Sequence, residues 1–193
     1  HASLGFISWV YDWNWDAASK SLTKALDLNP NYPDARRWLS HVHMTDGNIS
    51  SALEEIDNGI KLEPNSGNML SAKSQYFLRS GKIEAAIKTA QEGISKNPSF
   101  IYSYQALAEA HLMAGNYDSA LKGIEQGDEL YPGEFQLTKA EIYATRGDYA
   151  EAKKILNNEI KKRGIDVISS TRIAWCFYLI EEDIKALDYL ELA

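Results

Sequence analysis

The sequence predicts an all-α fold in which antiparallel helix pairs stack into a right-handed superhelix, and three observations predict it. The first is a period. Residues 115–132, GNYDSALKGIEQGDELYP, restate residues 81–98, GKIEAAIKTAQEGISKNP, and these restate 47–64, GNISSALEEIDNGIKLEP, at a fixed spacing of 34. A fixed period of this length marks a repeat array. The second is the spacing of apolar residues. Ile49, Ala52, Leu53, Ile56 and Ile60 recur at helical intervals, as do Ile83, Ala86, Ile87, Ala90 and Ile94, and each set forms a one-sided stripe. The third is punctuation. Pro30, Pro64, Pro98 and Pro132 also fall 34 apart, where a helix must stop.

Each unit is built in the same order. A glycine (Gly47, Gly81, Gly115, Gly147) ends a first helix, because the chain must turn through a left-handed conformation there. Asn48, Asn116 and Asp148 follow as predicted N-caps of the second helix, and Asp148 to Glu151 has capping-box spacing. Five residues after each glycine comes a small one, Ala52, Ala86, Ala120 or Ala152, where antiparallel helices approach closely. The predicted repeats are 3–30, 33–64, 67–98, 101–132, 135–164 and 167–193, one array over 1–193. The first has one extra residue in its turn. The fifth spaces Gly147 only 32 after Gly115 and ends at Gly164 in place of proline. The sixth is degenerate, with Trp175, Phe177, Ala186 and Leu190 expected in its core.

This pattern resembles the tetratricopeptide repeat. That family has a large residue, then Leu-Gly, then an aromatic in the first helix, and Ala, an aromatic, Ala and a closing Pro in the second. Residues 33–64 follow it with Trp38-Leu39-Ser40, His43, Gly47, Ala52 and Pro64. Residues 101–132 follow it with Leu107-Ala108, His111, Gly115, Tyr117, Ala120 and Pro132, and 67–98 keep the same register. The first repeat keeps Leu4-Gly5, Ala18, Leu22, Ala25 and Pro30. Its opening, Tyr11-Asp-Trp-Asn-Trp15, is similar to a bacterial subfamily in which such arrays follow winged-helix or nucleotide-cyclase domains. The resemblance implies a protein-interaction scaffold. The subfamily likeness implies, as an alternative, a sensory or regulatory arm of a bacterial regulator or cyclase whose effector domain lies upstream.

In such arrays the first helices line the concave side. Counting from each repeat's start, positions 2, 5, 9, 12 and 13 face the groove. In the second repeat these are Asp34, Arg37, His41, Met44 and Thr45. The third gives Asn68, Ser71, Gln75, Leu78 and Arg79, and the fourth Tyr102, Gln105, Glu109, Leu112 and Met113. The surface is mixed polar, which suits an extended peptide or a partner helix, and equally suits plain solvation. Family members that grip a chaperone's C-terminal carboxylate place Lys or Arg and Asn at fixed groove positions. Here Arg37 is the single basic match, and His41, Ala72, Tyr102 and Ala106 stand where polar or basic residues belong. That clamp is not expected.

Other candidates have a simpler reading beside the functional one. His43 and His111 occupy the packing-aromatic position. His41 and His43 are two apart on a helix and cannot share a metal as an i, i+4 pair can. Cys176, the single cysteine, reads as a small buried hydrophobe. Trp9, Trp13 and Trp15 either wrap the widened first turn or anchor an interface. Lys153, Lys154, Lys161, Lys162 and Arg163 read as a solvated helix face. No nucleophile motif and no phosphate loop is present, so the sequence predicts no enzyme, no cofactor and no metal. The net charge of −7 argues against nucleic acid as a direct partner. No apolar run reaches a membrane span and the N-terminus lacks a signal-peptide pattern, so a cytoplasmic location is expected. The chain begins at His1, which fits a piece of a longer protein or a vector remnant, so a targeting signal or anchor upstream stays open. The apolar-striped end from Ile184 to Ala193 has no polar capping helix after it. Either the natural chain continues, or that end is covered in a homodimer.

Overall fold

The computed structural model describes residues 1–163 and 167–193, with backbone alone at 163 and 167–169. The predicted close of the fifth repeat at Gly164 and the side chain of Arg163 lie outside the described residues. Among the described residues the chain holds twelve α-helices and no strand, and none is long and apolar enough to cross a membrane. The chain divides into two compact units, 1–110 and 111–193.

The first unit contains α1 (Ala2–Val10), α2 (Trp15–Leu28), α3 (Pro33–Thr45), α4 (Ile49–Leu62), α5 (Gly67–Arg79) and α6 (Ile83–Lys96). It also takes α7 (Tyr102–Met113) as far as Ala110. The second unit contains the end of α7, then α8 (Tyr117–Leu130), α9 (Gln136–Arg146), α10 (Tyr149–Arg163), α11 (Val167–Leu179) and α12 (Asp183–Leu190). The helices pair as the period predicts, α1 with α2, α3 with α4, α5 with α6, α9 with α10, and α11 with α12.

The turns between paired helices share one hydrogen-bond pattern. Asn48 N–H donates to the His43 carbonyl at 2.8 Å, and Gly47 N–H to that of Met44 at 3.2 Å. Lys82 to Phe77 and Asp148 to Tyr143 repeat the first of these at 2.8 and 2.9 Å. This is the Schellman closure of a helix, which needs a left-handed residue between donor and acceptor. Gly47, Gly81, Gly115 and Gly147 supply it at φ 77, 73, 74 and 94°. The outer repeats lack the glycine but keep the geometry. Trp13 and Glu181 occupy the same place at φ 53 and 61°. In the first turn the closing bond runs from Asn14 to Ser8, one residue wider than its counterparts, which locates the extra residue the sequence predicts.

Capping follows the prediction at one site. The Asn48 side chain accepts from Ser51 N–H at 3.2 Å, and Asn14 caps α2 in the same way from Ala17 N–H at 3.0 Å. Asn116 makes no side-chain cap bond, and the Asp148 carboxylate pairs with Arg146, whose guanidinium also reaches Asp118. A neighbouring cation thus draws Asp148 toward α9.

The small residues Ala52, Ala86, Ala120 and Ala152 are fully buried, as close helix contact requires. Three apolar clusters form the core, with Ala52 in one and Ala152 in another. In the first unit Ala18, Leu22, Ala35, Leu39 and Val42 form one, and Met44, Ala52, Ile56, Met69, Ala72 and Tyr76 form the next. In the second unit Ala140, Leu156, Ile173, Cys176, Phe177 and Ala186 form the third. Each fully buried Leu, Ile or Phe here contributes about 1.5–3 kcal/mol. The sixth repeat departs from expectation in one respect. Phe177 and Ala186 are core, but Trp175 and Leu190 are 49% and 52% exposed. They lie 34 residues after Glu141 and Leu156, on the side of the pair that in the fifth repeat receives α11.

Candidate functional site

Within the first unit, α3, α5 and the beginning of α7 bring six of the groove candidates together. His41, Asn68, Ser71, Gln75, Tyr102 and Gln105 line one pocket of about 160 Å³, completed by Ala72 and Phe100. Phe100 reaches it because Gly67, at the start of α5, has no side chain; a Cβ there would stand 2.7 Å from the Phe100 ring.

His41 is the most constrained member. Its ring stacks on Trp9 at 5.2 Å with a 3° angle between planes, and meets Tyr76 edge-on at 5.9 Å. Its Nδ1 is 2.8 Å from the Tyr76 hydroxyl, which lies 2.9 Å from Ser40 Oγ. Burial lowers the His41 pKa to about 4, helped by the nearby Arg37 and Arg79 charges. Burial also raises that of Tyr76 to about 12. At neutral pH the imidazole and the phenol are both uncharged.

Arg37 is half-buried, 3.2 Å from Asp34, with its guanidinium 5.8 Å from the Trp38 ring centre. Arg79 and Asp34 are exposed at the edge of this region. Gln105 donates through Nε2 to Glu109 Oε1 at 2.8 Å, which draws Glu109 to the same side of α7. Thr45 is exposed and donates its hydroxyl proton to the His41 carbonyl at 2.9 Å. Ser71 lines the pocket and is buried, its hydroxyl 3.1 Å from that of Ser103.

Four of the counted residues stand apart. Met44 is buried in the core beside Ile56, Met69 and Tyr76, where a flexible apolar thioether packs readily among irregular neighbours. Leu78 is half-buried away from the pocket lining. Met113, 63% exposed, belongs with the half-buried Leu112 to the second unit. Counting missed Trp9, Ser40, Tyr76 and Phe100. Trp9 had a signal: with one extra residue in the first turn it takes the register of Met44, a groove position. Tyr76 and Ser40 had none, since they are core positions whose hydroxyls turn toward His41.

Trp13 and Trp15 do not wrap the first core. They are 75% and 38% exposed, since the positive φ at Trp13 turns that segment away from the helix pair. His43 and His111 are half-buried, and burial lowers the pKa of His111. Cys176 is buried in the core, its pKa raised to about 12 by burial first and the Glu141 charge second, so the thiol stays protonated and a poor nucleophile. Lys153 and Lys154 pair with Glu182 and Glu151. Among the described residues no group of three His, Cys, Asp or Glu could hold a metal ion.

A second, apolar pocket of about 480 Å³ lies in the second unit, lined by Trp175, Tyr178, Leu187, Leu190 and others. Its lining residues Ala174, Ala186 and Leu190 come 34 after Ala140, Ala152 and Leu156, which pack in one core with Ile173, Cys176 and Phe177 of α11. The pocket is the place where a further first helix would sit.

Two models described as tetratricopeptide repeat match the chain, over residues 14–76 and 71–135. No curated protein matches the sequence. Among solved structures the chain is similar to TTC0263, a thermophilic TPR protein of Thermus thermophilus. That likeness has a TM-score of 0.79 at 21% identity, over 92% of this chain and 97% of that one. It is similar to a tetratricopeptide repeat protein of Parabacteroides merdae at TM-score 0.69 and 18% identity, over 97% and 75% of the two chains. YrrB, described as a TPR protein with an unusual peptide-binding site, matches at 0.57 and 14%, over 90% and 91%. At these identities the likeness establishes the fold. The narrower likeness of the first repeat to winged-helix and cyclase proteins draws no support from these matches. The repeat register, the shared turn geometry and the two matching spans agree, and the chain belongs to the tetratricopeptide-repeat family.

Proposed function

We propose that the first unit is a non-enzymatic recognition surface that binds a peptide or partner segment across α3, α5 and α7. The observation that carries this reading is convergence. Residues from three successive first helices, 64 residues apart at the extremes from His41 to Gln105, meet at one preformed pocket. A preformed site spares a ligand part of the ordering cost of binding. The peptide-binding site attributed to YrrB gives the reading a precedent in the fold. The net charge of −7 favours a protein partner over a nucleic-acid backbone.

The test is selection from a displayed peptide library, followed by replacement of Arg37, Gln75 and Tyr102 together by Ala. Selected peptides should lose binding while the melting temperature moves by no more than about 3 °C, because two of the three side chains are exposed. Unchanged peptide binding by the triple variant would sink the reading, as would a turnover that the same replacements abolish.

The apolar face of α11 and α12 supports a second interaction, with a second copy of this chain. Its exposed Trp175, Tyr178, Leu187 and Leu190 offer the kind of surface that buried helix pairs elsewhere in the chain cover.

A further inference from the structure

The hydrogen-bond chain behind the first-unit pocket fixes which way its histidine faces chemically. Ser40 Oγ lies 2.7 Å from the Arg37 carbonyl oxygen, and a carbonyl only accepts, so the hydroxyl proton goes there. The 2.9 Å bond between Ser40 and Tyr76 must then use the phenol proton, donated to Ser40 Oγ. A phenol has one proton. The 2.8 Å bond between Tyr76 and His41 Nδ1 therefore runs from the imidazole, with Nδ1–H donating. A neutral imidazole carries one ring proton, so Nε2 keeps a lone pair. The stack on Trp9 and the edge contact with Tyr76 hold the ring in this orientation.

The rest of the lining narrows what can meet that lone pair. Gln105 gives one Nε2–H to Glu109, which leaves its second N–H as a donor and its carbonyl oxygen as an acceptor. The Ser71 and Ser103 hydroxyls pair with each other. Asn68 and Gln75 carry amides that can donate or accept. Arg37 and Arg79 place positive charge beside His41, which opposes a cationic group. A carboxylate has no proton to give Nε2. The volume of about 160 Å³ is below that of sites for drug-sized ligands, at about 300–1,000 Å³, and has room for one side chain.

We propose that this pocket selects the carboxamide side chain of Asn or Gln in a bound peptide, its NH₂ donating to His41 Nε2 and its carbonyl accepting from Asn68 or Gln75. The proposal rests on the peptide-binding reading above and names the residue it recognises.

Two measurements on the whole chain test it. With ¹⁵N-labelled histidine at pH 7, the long-range ¹H–¹⁵N spectrum should show His41 protonated at Nδ1 and unprotonated at Nε2. A proton on Nε2 instead overturns the proposal. In the second, peptides acetyl-Ala-Ala-Xaa-Ala-Ala-amide, with Xaa Asn, Gln, Asp, Lys or Leu, are titrated into the protein. The Asn or Gln peptide should bind about fivefold tighter than the other three, the worth of one well-made hydrogen bond. Tyr76→Phe, which frees the tautomer, and His41→Phe, which keeps a ring on Trp9 but removes Nε2, should both lower it to the level of the Leu peptide. Equal binding of all five peptides overturns the carboxamide preference and leaves the peptide-binding reading standing. Binding of none overturns both.

Discussion

His41 shows how burial and neighbours set the state of one side chain. Its pKa falls from 6.5 to about 4, by burial first and then by Arg37 and Arg79. Between those values the unfolded chain holds a proton that the native chain does not. Stability from this group is therefore complete above pH 6.5 and is lost as pH falls toward 4, by on the order of 2–3 kcal/mol. His111 shifts in the same direction through burial and adds to the same slope. Urea unfolding at pH 7 and pH 4.5 reads this out. The native protein should lose more stability on acidification than His41→Phe, which has no such proton to exclude. Equal losses would mean that His41 titrates normally in the folded chain. The candidacy of His41 was legible in the sequence through its repeat position. Its neutrality was not, because Arg37 is the one contributor on its own helix, while Trp9, Tyr76 and Arg79 come from other helices.

The helix-turn-helix element repeats one backbone solution with two kinds of residue. Four turns use glycine at φ 73 to 94°, while the outer two force Trp13 and Glu181 to φ 53 and 61°. A side chain in that region is strained, and glycine is not. Glu181→Gly should therefore raise stability by about 1 kcal/mol, and Gly81→Ala should lower it by about as much. Thermal melts of the two variants check this, and a loss on Glu181→Gly would show that the residue gains more from its contacts than its backbone costs. These turns were readable in advance because a turn is local. The glycine, the cap at Asn48 and the closing proline act within a few residues of one another. Asn116 and Asp148 look equally good as caps in sequence, yet Asp148 is drawn off by Arg146. Asn116 makes no cap bond, and nothing in the structure explains it.

At the scale of the whole molecule, each compact unit carries one distinctive surface, a polar pocket in the first and an apolar face in the second. A contiguous apolar surface on α11 and α12 is costly to leave in water. Light scattering of the chain should give a dimer, and Leu187→Glu should give a monomer with an unchanged helical spectrum. A chain that remains monomeric at its highest soluble concentration would count against self-association through this face. The sequence pointed to an uncapped apolar end at Ile184 to Ala193, but not to Trp175 and Tyr178 of α11 as part of the same surface. Trp175 and Leu190 look like core by composition and periodicity, and both are exposed, because the helix that would cover them has no counterpart among the described elements.

The sequence by itself determined the helices, their pairing, the four glycine turns, the buried alanines and the family, since all of these are written in spacings of 34 residues or fewer and in local backbone preference. It also named six residues of the pocket by repeat position. Only the tertiary structure decided which of the counted positions meet. Met44 went to the core and His41 to the pocket, although both were counted onto the same face of α3. The hydrogen bonds that orient His41 span 35 and 36 residues. Their partners are brought together by packing between repeats, and a periodic pattern that treats every repeat alike cannot specify which side chain fills a gap and which is left facing a ligand.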